Sequence, residues 1–312
     1  MWTLLAFISA LCLGFYDVSK KIALRDNKVI DVLTISICVS SLILSVPLLL
    51  SRLSPEMMEG SLFYVPRMDA QAHLYTLLKS VIVLSSWVFA YISLKHLPIS
   101  VVSPMQATRP MWTLIGALLL FGERLNAWQW AGVLIAMGTI FAFSFHGRKE
   151  VRSGDIDKRY YIALSLAILI GACSGLYDKY LMRRYDHNAV QVYYTFYQAL
   201  MMLVVWGIDR FAERAKTSLK EQGAQRKSLF LAPCSLLPIM LISVFLVISD
   251  NVYMLALSDP DSMIAVVSTI RRGGTVIGFA YGLMFLHEKD PLPKLLCMLG
   301  ICVGLLCLAI GA

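Results

Sequence analysis

The chain has 312 residues, of which 58% are hydrophobic and 15% charged, with a mean hydropathy of +0.69 and a net charge of +8. Soluble globular proteins carry roughly 45–50% apolar residues with glycine included and about 25% charged residues, so a water-soluble two-domain enzyme is excluded. Disorder is excluded by the same figures, because this much apolar surface cannot be left in water. The composition calls for a polytopic integral membrane protein.

A transmembrane helix needs about 20 mostly apolar residues, and such stretches follow one another with short gaps. In chain order the spans fall near 2–24, 30–50, 74–97, 98–122, 127–147, 160–182, 189–208, 231–257, 261–286 and 291–311. Runs such as Leu42–Leu50 and Leu295–Gly311 lack the period-two alternation of barrel strands, so the expected fold is all-α. The first run is read as a retained span: no basic segment precedes it, and Cys12 follows Leu11, not the small residue of a lipobox.

Cys12, Cys38, Cys173, Cys234, Cys297, Cys302 and Cys307 all fall within spans and form no Cys-x-x-Cys pair, which fits thiols packed as small apolar groups. The histidines sit at span ends or in loops, without a His-Glu-x-x-His pattern. No nucleotide-binding loop, metal motif or nucleophile constellation appears. We therefore expect no enzyme, no cofactor and no metal.

An internal repeat organises the chain. Ala10-Leu-Cys12-Leu-Gly14-Phe-Tyr16-Asp17 in span one matches Gly171-Ala-Cys173-Ser-Gly175-Leu-Tyr177-Asp178 in span six. Further on, Val101-Val102-Ser103 and Glu123 match Val266-Val267-Ser268 and Glu288, again at one offset. Five spans per half make the second half cross the membrane in the opposite sense. The expected architecture is ten transmembrane helices as two five-helix inverted-topology repeats, residues 1–149 and 150–312, an arrangement typical of secondary transporters.

Fourth and ninth spans ending in Phe-Gly-Glu (121–123) and Leu-His-Glu (286–288), and fifth and tenth spans rich in spaced glycines, resemble EamA-type members of the drug/metabolite transporter superfamily. The resemblance covers essentially the whole chain and implies transport without naming a substrate. Extra residues between Glu288 and Gly300, compared with Glu123 to Gly132, depart from an even repeat. Glycines at Gly274, Gly278 and Gly282, at Gly171 and Gly175, and at Gly300 and Gly304 form small faces that permit close helix approach.

Charge inside the spans carries the functional reading, because a charged side chain at a helix centre costs roughly 2.5–3.5 kcal/mol and faces a cavity or partner. Lys20, Lys79 and Lys179 are read as snorkelling toward an interface. Arg109 in span four and Arg271-Arg272 in span nine lie near their span midpoints, in equivalent helices. Guanidinium groups bind carboxylate or phosphate bidentately, so these three are candidate substrate ligands, with Trp87 and Asn251 as further lining residues. Their position and charge also resemble the basic triad of the plastid phosphate translocators in this superfamily. The other reading is internal pairing with Asp17, Asp178 and Asp250. Asp17 and Asp178, behind Tyr16 and Tyr177, are candidate coupling groups or fixed salt-bridge partners. Glu123 and Glu288 are read as gate or helix-end contacts.

Lysines and arginines number sixteen in odd loops and five in even loops, which places odd loops in the cytoplasm and both termini outside; the superfamily resemblance implies cytoplasmic termini instead. The expected function is secondary active transport, as exporter or exchanger, of a small polar and anionic metabolite. Alternatives are a proton-coupled exporter of cationic or amphipathic compounds working through Asp17 and Asp178, or a non-transporting scaffold or flippase-like protein. Expected partners are a small-molecule substrate and the lipid bilayer, without nucleic acid, in a monomer or homodimer. The expected location is the cell membrane, as in a bacterial inner membrane.

Overall fold

Apolar runs of this length leave the backbone no water to bond, so each must satisfy its own amides as a helix. A computed structural model describes residues 1–24, 27–97, 105–106, 108–146, 158–218, 236–274, 276–277, 280–281 and 291–311, and among them there is no strand. The helices are α1 (Trp2–Ala23), α2 (Val29–Leu53), α3 (Ala70–His96), α4 (Arg109–Leu120), α5 (Ala127–His146), α6 (Lys158–Met182), α7 (His187–Ser218), α8 (Leu236–Ser258), α9 (Ile264–Arg272) and α10 (Pro291–Gly311). A single turn at Pro55–Met58 follows α2.

Six of these helices, α1, α2, α3, α6, α7 and α8, are long and apolar enough to cross a membrane, while α4, α5 and α10 contain shorter apolar stretches. The protein is thus an all-helical, multi-pass membrane protein. Large apolar side chains such as Leu42, Leu49, Leu119, Leu120 and Leu299 lie exposed on its outside, as a lipid-facing surface requires. Two expected spans differ from a plain helix. In the fourth, residues 105–106 are helical, Thr108 is a turn, and α4 begins at Arg109 with Pro110 in its first turn, where a missing N–H is harmless. In the ninth it ends at Arg272, Gly273 and Gly274 form a turn, and Val276 N–H donates to Gly273 O and Ile277 N–H to Gly274 O.

The helices pack in a mirrored set of pairs: α1 on α8 and α6 on α3; α9 on α1 and α4 on α6; α2 on α8 and α7 on α3. In addition, α2 meets α7, α4 meets α9 and α5 meets α10. Lipid supplies no hydrophobic drive between helices, so small residues and hydrogen bonds must hold them. Ser9 and Ser249 exchange hydroxyl-to-carbonyl bonds of 2.9 and 3.0 Å across α1 and α8, and Ser86 donates to Ala167 O at 2.8 Å across α3 and α6. Across α5 and α10, Gly132 and Gly304 face each other; a Cβ on Gly304 would lie 2.9 Å from Gly132 O. The start of α5 is fixed by a reciprocal cap, Gln129 N–H to Asn126 Oδ1 at 2.8 Å and Asn126 N–H to Gln129 Oε1 at 2.9 Å.

Candidate functional site

The ends of α4 and α9 bring the expected arginines together. Arg109 lies within electrostatic reach of Arg272, Arg271, Tyr253 and Asp178. Arg271 is ion-paired with Asp250 of α8, donates to Ser249 Oγ at 3.3 Å, and lies over the Tyr253 ring at 4.1 Å. Its side chain stays 19% exposed and that of Asp250 23%. Arg272 has Asp17 within electrostatic reach. So internal pairing, one of the two alternatives, describes Arg271.

Arg109 differs. Its Nη2 donates to the backbone carbonyl of Gly171 at 2.6 Å, and among the described residues no carboxylate stands within ion-pair distance of it. The glycine makes this contact possible, because a Cβ at 171 would lie 2.6 Å from Arg109 Cζ.

The two matched aspartates part company. Asp178 is buried and ion-paired with Lys79 Nζ 2.8 Å from its Oδ1, while Tyr253 donates to its other oxygen at 3.4 Å. Asp17 is exposed, within reach of Lys20, Arg272 and Arg271. The expectation that Lys79 and Lys179 snorkel is overturned. Lys79 is 2% exposed, ion-paired with Asp178 and set 4.4 Å over the Tyr194 ring. Lys179 is wholly buried and donates to Leu257 O and Asp259 O at 3.2 Å each and to Ser262 Oγ, closing the C-terminal end of α8. Both find acceptors inside the bundle, which removes the reason to reach for an interface.

Trp87 packs beside Ile37, Ala199 and Met202 of α2 and α7, apart from the arginines. Asn251 donates to Asn188 Oδ1 and Gln191 Oε1, both at 2.8 Å, so its amide serves the α7–α8 contact. Tyr16 packs near Ala23, Val32, Ile239 and Ile242 with Lys20 Nζ 5.6 Å from its ring. Tyr177 donates to Tyr75 O at 3.2 Å and stacks on Tyr180. Glu288, Thr275 and Gly278 lie outside the described residues.

Glu123 is a helix-end contact in a specific sense. Gly122 takes a left-handed turn (φ 63°) beyond α4, and Glu123 accepts from Ile264 N–H at 2.6 Å and Ala265 N–H at 3.1 Å. It therefore caps α9, whose first amides have no intrahelical partner. Burial raises the pKa of this carboxyl above its ordinary value, opposed by the two amide bonds and by Lys179 and Arg183. With Lys179 of α6, it pins the turn between α8 and α9 from the segment that follows α4. Sequence reading missed Tyr253 and Tyr194 and the inward pairing of Lys79 and Lys179; a lysine within reach of an aspartate on another helix leaves no local signal.

Comparison with known proteins agrees with this architecture. Residues 1–145 match the EamA-like transporter family. Over that segment the chain is similar to EamA-like transporters, consistent with the drug/metabolite transporter superfamily. Transport across a membrane is the activity of that family, and in this chain the candidate site lies at the start of α4 and the end of α9. A solved crystal structure, titled only as that of a protein, superposes with a TM-score of 0.72 at 11% identity, covering 99% of this chain and 96% of the other. That likeness concerns the fold alone. No curated protein matches the sequence.

Proposed function

We propose that this protein, similar over its first half to EamA-like transporters, is a secondary active carrier of a small, polar, anionic metabolite. The observation that carries the reading is the half-buried cluster of three guanidinium groups at the start of α4 and the end of α9, in which Arg109 rests on a carbonyl and has no carboxylate at ion-pair distance among the described residues. Unscreened like charges in a low dielectric repel strongly, and an anion between them relieves that repulsion. Discontinuous helices with charged groups at their breaks are the usual material of transporter sites.

Alternating access by rocking of residues 1–149 against 150–312, as inverted repeats about a pseudo-two-fold axis in the membrane plane, is the companion proposal. The helix pairings support it, since exchanging α1–α5 with α6–α10 carries α1·α8 into α6·α3 and α9·α1 into α4·α6. The Lys79–Asp178 pair speaks against Asp178 as a free proton carrier. The charge bias of the loops favours cytoplasmic odd loops in a cell membrane; impermeant labelling of a cysteine placed at 219–227 in intact cells would refute that orientation.

Counterflow in proteoliposomes tests the substrate class. Preloaded organic anions or phosphate should drive uptake of a labelled anion, and cations and neutral amino acids should not. Uptake driven only by cations would sink the anionic reading, and no counterflow with any class would favour a non-transporting role.

A further inference from the structure

We infer that Arg109, not Arg271, is the anion anchor, and that Gly171 is its positioning residue: a seat that holds the guanidinium in the cluster while leaving its fork available for an oxyanion. The inference rests on the proposed anion transport and narrows it to one side chain.

Three observations meet here. The first is the difference in partners. Lys79 is matched by Asp178 and Arg271 by Asp250, whereas the hydrogen bond of Arg109 goes to a neutral backbone carbonyl. A guanidinium has five N–H donors, and one bond to Gly171 leaves the rest for a ligand. A carbonyl is also a weaker acceptor than a carboxylate, because charge-assisted bonds are about twice as strong. An incoming carboxylate or phosphate therefore competes well for Arg109 and poorly for Arg271.

The second is steric. The side chain lies flat against the missing side chain of residue 171, with Cζ, Nη2 and Nε at 2.6, 2.8 and 2.9 Å from where a Cβ would be. No other residue type keeps that seat without moving the guanidinium.

The third is the asymmetry of the repeat. The offset that equates Glu123 with Glu288 equates Arg109 with Gly274, and the offset that equates Asp17 with Asp178 equates Gly171 with Ala10. Gly274 does lie against Ala10, backbone to backbone, with Gly14 N 3.1 Å from a Cβ built on it. One crossing is closed by bare backbone, and its counterpart is held open by a guanidinium. Packing alone needs only the first arrangement, so the second points to a ligand.

Modification by phenylglyoxal, read peptide by peptide by mass spectrometry on the purified full chain in detergent, tests the inference without knowing the substrate. Arg109 should be modified faster than Arg271. Inorganic phosphate, malate or pyruvate should slow modification at Arg109, with chloride at matched ionic strength as the control. Gly171→Ala should change the Arg109 rate about tenfold, the worth of one charge-assisted hydrogen bond, and leave Arg271 unchanged. Faster modification and anion protection at Arg271 would overturn the inference, as would an Arg109 rate indifferent to all three anions. Should Gly171→Ala not fold, the wild-type protection pattern still decides. Anion counterflow with an unprotected Arg109 would remove this inference alone, while protection without counterflow would remove transport and keep the anion site.

Discussion

The Glu123 cap offers a measurable test of how α9 is held. In Glu123→Gln one oxygen remains to accept and the amide nitrogen cannot, so one of the bonds to Ile264 or Ala265 is lost together with the negative charge at the helix start. Losing a hydrogen bond to a charged group is worth about 1.5–3 kcal/mol, and relief of the burial cost of the charge offsets part of that loss. Because Glu123 is only half-buried, a value near the lower end, about 2 kcal/mol, is expected, which corresponds to about a 30-fold rise in local opening. Hydrogen exchange at Ile264 and Ala265 should therefore quicken by about that factor in the variant, with amides in the middle of α6 unchanged. Equal exchange in both proteins, or a uniform rise along the chain, would refute the cap as the holder of α9.

Linkage at the same residue gives a pH test. Burial lifts the Glu123 pKa in the folded state, so the native chain holds that proton more tightly, and stability falls as pH rises through the window just above the ordinary glutamate value. Glu123→Gln should flatten the melting-temperature curve across that window; an unchanged slope would count against it. Lys79→Met strands Asp178 and should cost about 3–5 kcal/mol, whereas Lys79→Met with Asp178→Leu should recover most of the loss in a detergent melt; no recovery would mean the pair is not the reason. Gly304→Val drives a side chain toward Ala136 N and Gly132 O and should destabilise by about 1–3 kcal/mol, while Gly138→Val, with nothing within 4 Å, should be neutral; equal melts of the two variants would refute close packing of α5 on α10.

Much of the fold is legible in the chain because lipid demands long apolar helices: six of the expected spans fall, with shifted ends, on helices long and apolar enough to cross a membrane, α1, α2, α3, α6, α7 and α8. The shifts have local causes. α7 continues to Ser218 past the apolar stretch because its last turns are charged and helix-forming. The breaks beside Arg109 and Arg272 were written as Pro110 and Gly273-Gly274, signals that a count of apolar residues passes over. The arginine cluster was visible from charge alone. What could not be seen was which charge meets which. Asp17 and Asp178 share a sequence context, yet only Asp178 meets a buried lysine, because α3 supplies Lys79 and α8 contains no lysine at all. Asn251 reads as a polar group in a span; that α7 offers Asn188 and Gln191 to it is a fact of tertiary packing.

The break at Arg272 also bears on how the chain is made. Two arginines near the centre of a span add roughly 5–7 kcal/mol to membrane insertion, and the nine residues of α9 cannot offset that by themselves. α9 must therefore enter the bilayer as a guest of helices already there. Synthesis supplies them in the right order: Ala10 and Gly14 on α1 emerge first, then Glu123, and Asp250 arrives shortly before Arg271 pairs with it. The second half of the chain thus depends on the first for its biogenesis, so residues 150–312 produced alone should leave α9 outside the membrane until residues 1–149 are supplied in the same cell.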